Sequence, residues 1–186
     1  MARRNRMTLI LEAEEFAKNK HQYQFRDNGE TLYWTHLQKV VENLIELGIH
    51  DENILCAGWL HDTIEDTDTD YDDLDENFNR EIADIVSTVT KDTRMIKQKR
   101  EVDYCAQLKL GSWQAQIVKF ADILANMEDL ENSKKSDSDR KRQAQNKLEY
   151  YNSIKSNLQN NKKKIPNLDS KTTRLFEIFL QYGIKN

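Results

Sequence analysis

The chain has 186 residues, with 28 Lys and Arg against 32 Asp and Glu and a formal net charge of −4. That balance argues against a general nucleic-acid binder, which needs a basic excess to neutralise phosphates. Apolar residues make up 38% and charged residues 32%, enough to fill a core beneath a heavily charged surface. With five Gly and one Pro, Pro166, tight turns are few, and long helices joined by short polar turns fit better than a many-stranded sandwich or barrel.

Leu9, Ala13, Phe16 and Ala17 recur at helical spacing and predict a first helix over about Thr8 to His21. The Asp27-Asn28-Gly29 stretch ends it. Leu37, Val40, Val41, Leu44 and Ile45 predict a second amphipathic helix, stopped near Gly48. Asp51 is the N-cap of a third, which carries Ile54, Ala57, Gly58 and Leu60 and runs into His61-Asp62. Residues 67–76 read as an acidic loop leading into a short helix that ends near Phe78. Ile82, Ile85, Val86 and Val89 predict another helix. The polar, basic segment 91–100 reads as a loop or a mobile helix start.

Trp113 to Leu130 is predicted to be a long helix with Ile117, Val118, Phe120, Ala121, Leu124 and Ala125 inward. A polar connection over Ser133 to Arg140 precedes a helix over 141–159, a Lys-rich turn over Asn160 to Asn167 and a last helix over Lys171 to Tyr182. The expectation is one all-α domain spanning 1–186, a bundle of about eight to ten helices.

Cys56 and Cys105 lie far apart and form no CxxC pair, so both read as small buried residues in a reducing, cytoplasmic setting. The start, Met1-Ala-Arg-Arg-Asn-Arg6, has the charge of a signal n-region, but the apolar run Met7 to Leu11 is too short to follow it. No longer apolar run exists for a membrane span, and no membrane partner is expected.

The chemistry concentrates at His61-Asp62-x-x-Glu65-Asp66. Helical spacing puts His61 and Glu65 on one face, as it does Asp62 and Asp66. Three carboxylates and an imidazole crowded together are costly unless a cation compensates. His61 and Asp62 are adjacent, so both reach one ion only where the helix bends or ends. His36 is a second imidazole, opening the second helix. Asp122 is a lone acid in a mostly apolar helix and needs a partner there. Two imidazoles and two carboxylates suit Mn²⁺, Fe²⁺, Co²⁺ or Zn²⁺, with Glu65 and Asp66 placed to orient or deprotonate a bound water. A His-Asp dipeptide alone is a weak signal, and Asp68 through Glu76 reads as solvated surface. The conjunction is what distinguishes the site.

Trp59-Leu-His-Asp-Thr-Ile-Glu-Asp-Thr67 resembles the core motif of HD-domain hydrolases of the RelA/SpoT type, most of all the stand-alone small alarmone hydrolases. His21-x-x-Gln24-x-Arg26, Tyr33-x-x-His36, Val89-Thr90 and Lys119-Phe-Ala-Asp122-x-x-x-Asn126 resemble further blocks of that family, in the same order. The core motifs span 9–131, and a helical tail over 136–186 is compatible. The resemblance implies one Mn²⁺ held by His36, His61, Asp62 and Asp122, with Glu65 and Asp66 as catalytic residues. The implied reaction removes the 3′-diphosphate of (p)ppGpp, a small-molecule nucleotide. Arg26, Lys97, Lys119, Asn126 and Tyr150 are implied on the substrate. Set against this, Arg26 and Lys97 also read as ordinary surface cations, Lys119 as a snorkelling side chain, and His21 and His50 as structural.

The chain departs from the family pattern at Asp27, where relatives usually carry Lys, and at Ile123, where they usually carry Arg or Lys. Leu37 replaces the common Pro, and one residue is inserted before Tyr33. The first two departures remove cations expected near a polyanion. They motivate an alternative, an HD-type phosphohydrolase acting on another phosphorylated nucleotide; a nucleotide-binding protein without catalysis is a third reading. No synthetase segment follows, so the expected role is degradation of the alarmone. Residues 62–76 hold nine acids and no Lys or Arg, so the remaining 23 acids face 28 bases and the rest of the chain is mildly basic. A nucleotide anion suits such a surface.

Overall fold

A computed structural model describes residues 6–185. The Arg-rich start at residues 1–5 lies outside the described residues. The order of helices is α1 (Arg6–Lys20), α2 (Trp34–Glu46), α3 (Glu52–Leu60), α4 (Thr63–Asp66), α5 (Tyr71–Asn77), α6 (Arg80–Val89), α7 (Lys97–Leu110), α8 (Trp113–Asp129), α9 (Asp137–Asn160) and α10 (Leu168–Gln181). Short 3₁₀ turns follow α8 and α9. Among the described residues the only β pairing is an isolated bridge between Phe25 and Leu32. The fold is all-α.

Two helices form the centre. Every residue of α3 from Ile54 to Leu60 is buried, and so is every residue of α8 from Ala115 to Ala125. A helix apolar on all sides must be wrapped by others, and here α1, α2 and α6 pack on α3 while α2, α6, α9 and α10 pack on α8. The α2–α3 crossing is close because residue 58 is Gly: a Cβ there would lie 2.8 Å from Leu44 Cδ1 and 3.1 Å from Val41 Cγ2.

Helix ends follow local chemistry. Asp51 caps α3 by accepting from the Ile54 amide at 3.1 Å, as its sequence position predicts. Asn79, Ser112 and Ser136 cap α6, α8 and α9 in the same manner. Asp70 and Asp73 form a reciprocal capping box that starts α5 inside the stretch read as an acidic loop.

Three helices extend beyond the sequence expectation, among them α10, which starts at Leu168 and not at Lys171. The α9 helix starts at Asp137 because Ser136 caps it, adding a turn to the 141 start. The α7 helix fills a region that sequence patterning left unassigned beyond its first residues. Its periodic signal is weak because Tyr104 and Leu108 are its buried residues.

α2 ends in a Schellman motif, with the Gly48 amide bonding Ile45 O at 2.9 Å and the Ile49 amide bonding Leu44 O at 3.0 Å. Gly48 takes φ +86°, and a Cβ there would sit 2.9 Å from the Pro166 ring. The C-terminal segment docks on this end: Asn167 Nδ2 donates to Glu46 O at 2.8 Å, and Lys171 pairs with Glu46. Gly48→Ala therefore combines a left-handed backbone penalty with a clash. We expect a loss of about 1–3 kcal/mol and a fall in Tm of roughly 3–10 °C, measured by thermal unfolding.

Candidate metal centre and active site

Three mutually contacting elements bring the predicted site together. His36 is the third residue of α2, Asp122 lies mid-way along α8, and His61-Asp62 forms the break between α3 and α4. The break resolves the adjacency problem. His61 closes α3, Asp62 opens α4, and the Thr63 hydroxyl donates to Leu60 O at 2.7 Å across the junction. Both side chains thereby face one point.

Around that point, His36 Nε2 lies 3.2 Å from Asp122 Oδ1 and 3.7 Å from Asp62 Oδ2. His61 Nε2 lies 3.0 Å from Asp62 Oδ2 and 3.7 Å from Asp122 Oδ1. Donor atoms of His36, His61 and Asp62 all fall within 4.8 Å of one another. His61 Nδ1 is 2.9 Å from Gly58 O and donates to it, so in the neutral ring the lone pair is on Nε2. That Nε2 is buried without a hydrogen-bond partner. A second ring nitrogen tied to a backbone carbonyl is the arrangement that orients a metal-binding imidazole.

The electrostatics point the same way. Burial alone would lower the His61 pKa, but Asp62 and Asp122 outweigh it and push it up to about 10. Burial holds the His36 imidazole below its ordinary value, its hydrogen bond to Asp122 notwithstanding. Burial would raise the Asp122 carboxyl, yet Lys119, Lys147 and the two imidazoles hold it well below the usual range. The grouped donors of His36, His61 and Asp62, with Asp122 Oδ1 3.2 Å from His36 Nε2, form a nitrogen and oxygen set that fits a divalent transition metal.

Next to this cluster, the Tyr33 hydroxyl donates to Asp62 Oδ2 at 2.7 Å and lies 3.3 Å from Asp66 Oδ2. Burial, then the charges of Asp62 and Glu65, push the Asp66 carboxyl up to about 6. Glu65 Oε2 accepts from the Lys91 amide at 3.0 Å. His21, read as structural, is buried, bonds Gln24 through Nδ1 at 2.7 Å and stacks on Tyr33 at 4.9 Å between centroids. His50 is exposed.

The residues implied on the substrate divide. Arg26 Nη2 donates to Asn126 Oδ1 at 3.2 Å and to Asp129 Oδ2 at 3.1 Å, and its guanidinium lies 5.6 Å from the Tyr33 ring centre. Asn126 Nδ2 in turn bonds Asp122 Oδ1 at 2.5 Å. Lys119 is buried and bonds Asp122 Oδ2 at 2.7 Å, so it does not snorkel. Tyr150 is buried, with its hydroxyl on Glu101. Lys97 opens α7 as an exposed residue without contact to the cluster.

A cleft of about 200 Å³ runs past Arg26, Thr35, His36, Lys39 and Asp129, and a smaller, water-sized one of about 10 Å³ past Arg26, Asn126, Ser133 and Gln143. Asp27 lines the smaller one and pairs with Lys135 at 2.5 Å. Ile123 is fully buried in the core, so that departure alters packing and not the polar rim. Sequence reasoning missed Lys91, Lys147 and Tyr33 as neighbours of the cluster. Tyr33 was within reach, since its spacing to His36 was already marked.

The HD-domain profile matches residues 13–159. The chain belongs to the HD-domain family. Two relatives of this HD domain carry the name guanosine-3′,5′-bis(diphosphate) 3′-pyrophosphohydrolase MESH1. The Xenopus tropicalis protein is 40% identical over 124 residues, 66% of this chain and 69% of that one. The Homo sapiens protein is 40% identical over 123 residues, 65% of this chain and 69% of that one. An Aquifex aeolicus protein named guanosine-3′,5′-bis(diphosphate) 3′-pyrophosphohydrolase is 37% identical over 124 residues, 65% of this chain and 18% of that one. A solved structure of a metazoan SpoT orthologue, described as hydrolysing ppGpp, superposes with a TM-score of 0.83 at 28% identity and covers all of both chains.

If the cluster of this HD domain binds a divalent ion, the ion stabilises the fold by mass action. At a concentration near 100 Kd, Mn²⁺ should add about 2.7 kcal/mol and raise Tm by roughly 5–10 °C. Differential scanning fluorimetry with and without EDTA checks this. The shift should vanish in His36→Ala and Asp122→Asn.

Proposed function

We propose that this chain is a metal-dependent guanosine-3′,5′-bis(diphosphate) 3′-pyrophosphohydrolase that converts (p)ppGpp to GDP or GTP and pyrophosphate. The observation that carries the reading is the donor set of buried His36, His61 and Asp122 with half-buried Asp62, and Glu65 and Asp66 beside it, in a chain 40% identical over 124 residues to an enzyme of that name. We take residues 1–186 to act as one hydrolase domain. We assign Mn²⁺ to the four ligands, where it would polarise a phosphoryl oxygen and lower the pKa of a bound water.

The chain's own residues do the rest. Asp66, with a carboxyl near 6, is a base of useful strength at neutral pH. It takes a proton from the attacking water, whose oxygen forms a bond to the 3′-linked phosphorus. The bond between that phosphorus and the ribose 3′-oxygen breaks with its electron pair on the 3′-oxygen, which takes up the proton held by Asp66 to become a hydroxyl, and the phosphorus departs in pyrophosphate. Glu65, held by the Lys91 amide, orients the water. Arg26 and Asn126, joined at 3.2 Å, hold the nucleoside, Arg26 by stacking on the purine and Asn126 through the ribose. Lys119 and Tyr150 would face the phosphates, while Lys97, exposed at the start of α7, stands apart from the cluster. The free Cys56 and Cys105 fit a reducing, cytoplasmic location. No described helix is long and apolar enough to cross a membrane.

Asp27 favours one alternative, a related nucleotide phosphorylated at the 2′ or 3′ position. Its carboxylate, paired with Lys135, puts an acid at the mouth of the Arg26 cleft.

Incubated with ppGpp and Mn²⁺, the protein should release pyrophosphate and GDP in equal amounts, and EDTA should stop it. His61→Ala should abolish turnover, and Asp66→Asn should lower kcat by roughly 10²–10⁴-fold. Absence of ppGpp turnover by metal-loaded protein overturns the reading. Release of orthophosphate from a 2′- or 3′-phosphorylated nucleotide in the same screen would establish the alternative.

A further inference from the structure

Three lysines from separate elements meet beside the metal cluster. Lys91 follows the end of α6, Lys119 lies on α8 and Lys147 lies on α9. Their ammonium nitrogens are 4.8, 5.4 and 5.9 Å from the Tyr150 ring centre. Lys91 and Lys119 also flank Tyr104, at 5.1 and 5.2 Å. These are not solvated surface cations: the side chains are 20%, 8% and 14% exposed.

The anions facing them are few. Asp122 Oδ2 lies 2.7 Å from Lys119 Nζ and 3.7 Å from Lys147 Nζ. Glu101 lies 3.9 Å from Lys91 Nζ and also takes the Tyr150 hydroxyl. Asp122 is shared, since its Oδ1 faces both imidazoles. A divalent ion on those ligands would draw on the same carboxylate charge and leave the lysines short of counter-charge. Packed like charges that lose their counterion need another.

We propose that Lys91 and Lys147, together with Lys119, form the receptor for the outer phosphate of the diphosphate being removed, and so set the preference for a diphosphate over a monophosphate. The inference rests on the hydrolase reading and deepens it. Placement supports it. The Lys91 amide holds Glu65 at 3.0 Å, and two of the three lysines touch Asp122, so this end borders the reacting phosphorus. The other end offers Arg26, already tied to Asp129, and Lys39, paired with Glu128 at 3.5 Å, with the acidic Asp27 next to Arg26. Cationic capacity for a diphosphate lies at the lysine end. Lys91 also lines an open cleft of about 340 Å³ with Thr90, Arg94 and Gln107, which gives this end a path to solvent.

Titration calorimetry with inorganic pyrophosphate and with orthophosphate, on protein holding one equivalent of Mn²⁺, tests this directly. Lys91→Met and Lys147→Met should each weaken pyrophosphate binding tenfold or more and orthophosphate binding less than threefold. Lys147→Arg should keep pyrophosphate affinity within threefold. In turnover, the ratio of kcat/KM for a 3′-diphosphate over the matching 3′-monophosphate should fall by the same factor. If buried Lys147→Met does not fold, Lys91→Met, on a partly exposed loop, carries the test alone. Unchanged pyrophosphate affinity in the folded variants overturns the proposal even where ppGpp is hydrolysed. Lysine-dependent pyrophosphate binding without ppGpp turnover overturns the guanosine reading and leaves the receptor standing for another diphosphate.

Discussion

Everything near the site is arranged around one electrostatic demand: Asp62 and Asp122 aim carboxylate oxygens at the same two imidazole nitrogens inside a nearly dry core. Asp122 is 3% exposed, where an unpaired carboxylate would be protonated rather than tolerated. It remains ionised because each oxygen is engaged. One faces His36 and Asn126, the other Lys119 and Lys147. Lys119 and Asn126 lie three residues before it and four after it, so helix α8 itself supplies two of these partners. The other partners come from α2 and α9, which ties helix packing to charge compensation. The Gly58 approach belongs to the same demand. Without it α2 and α3 would separate, and the His36 and His61 rings would not sit 5.3 Å apart.

This division explains what could be read from sequence. His61, Asp62 and Asp122 were legible because they break local rules: an imidazole beside an acid at a helix end, and an acid in an apolar helix. Their adjacency even dictated a bend at His61-Asp62, which the α3–α4 junction supplies. Lys91 and Lys147 break no local rule. In a chain with 28 Lys and Arg, a lysine on a polar helix reads as solvated, and only tertiary packing buries it. Helix α7 was illegible for a related reason, since two buried residues in 14 give no periodic stripe. Lys97, chosen by motif resemblance, is exposed at the start of that helix.

The acid-rich stretch from Asp62 to Glu76 contains two populations that composition merges. Asp62, Glu65 and Asp66 are held by Tyr33 and the Lys91 amide at the cluster. Beyond them the acids do ordinary structural work. Asp68 pairs with Lys20 at 2.7 Å, and Asp70 and Asp73 cap α5. The acids of this stretch therefore divide into those gathered beside the histidines and those that pair with Lys20 or cap α5 at the surface.

Tyr33 connects Asp62 to Asp66. Its hydroxyl has one proton, while Asp62 and Asp66 both present oxygens to it, at 2.7 and 3.3 Å. Burial and these two carboxylates hold the phenol far above its ordinary pKa, so it stays a donor. A single proton serves one acceptor at a time, and the shorter contact goes to Asp62. Asp66 is left with the weaker share of the donor while burial and the charges of Asp62 and Glu65 act against its ionisation. Unlike Asp62, it has no imidazole in salt-bridge contact. Asp66 thus has its affinity for a proton raised, the opposite of Asp62 and Asp122. The same geometry that strips Asp62 and Asp122 of protons gives Asp66 the capacity to take one.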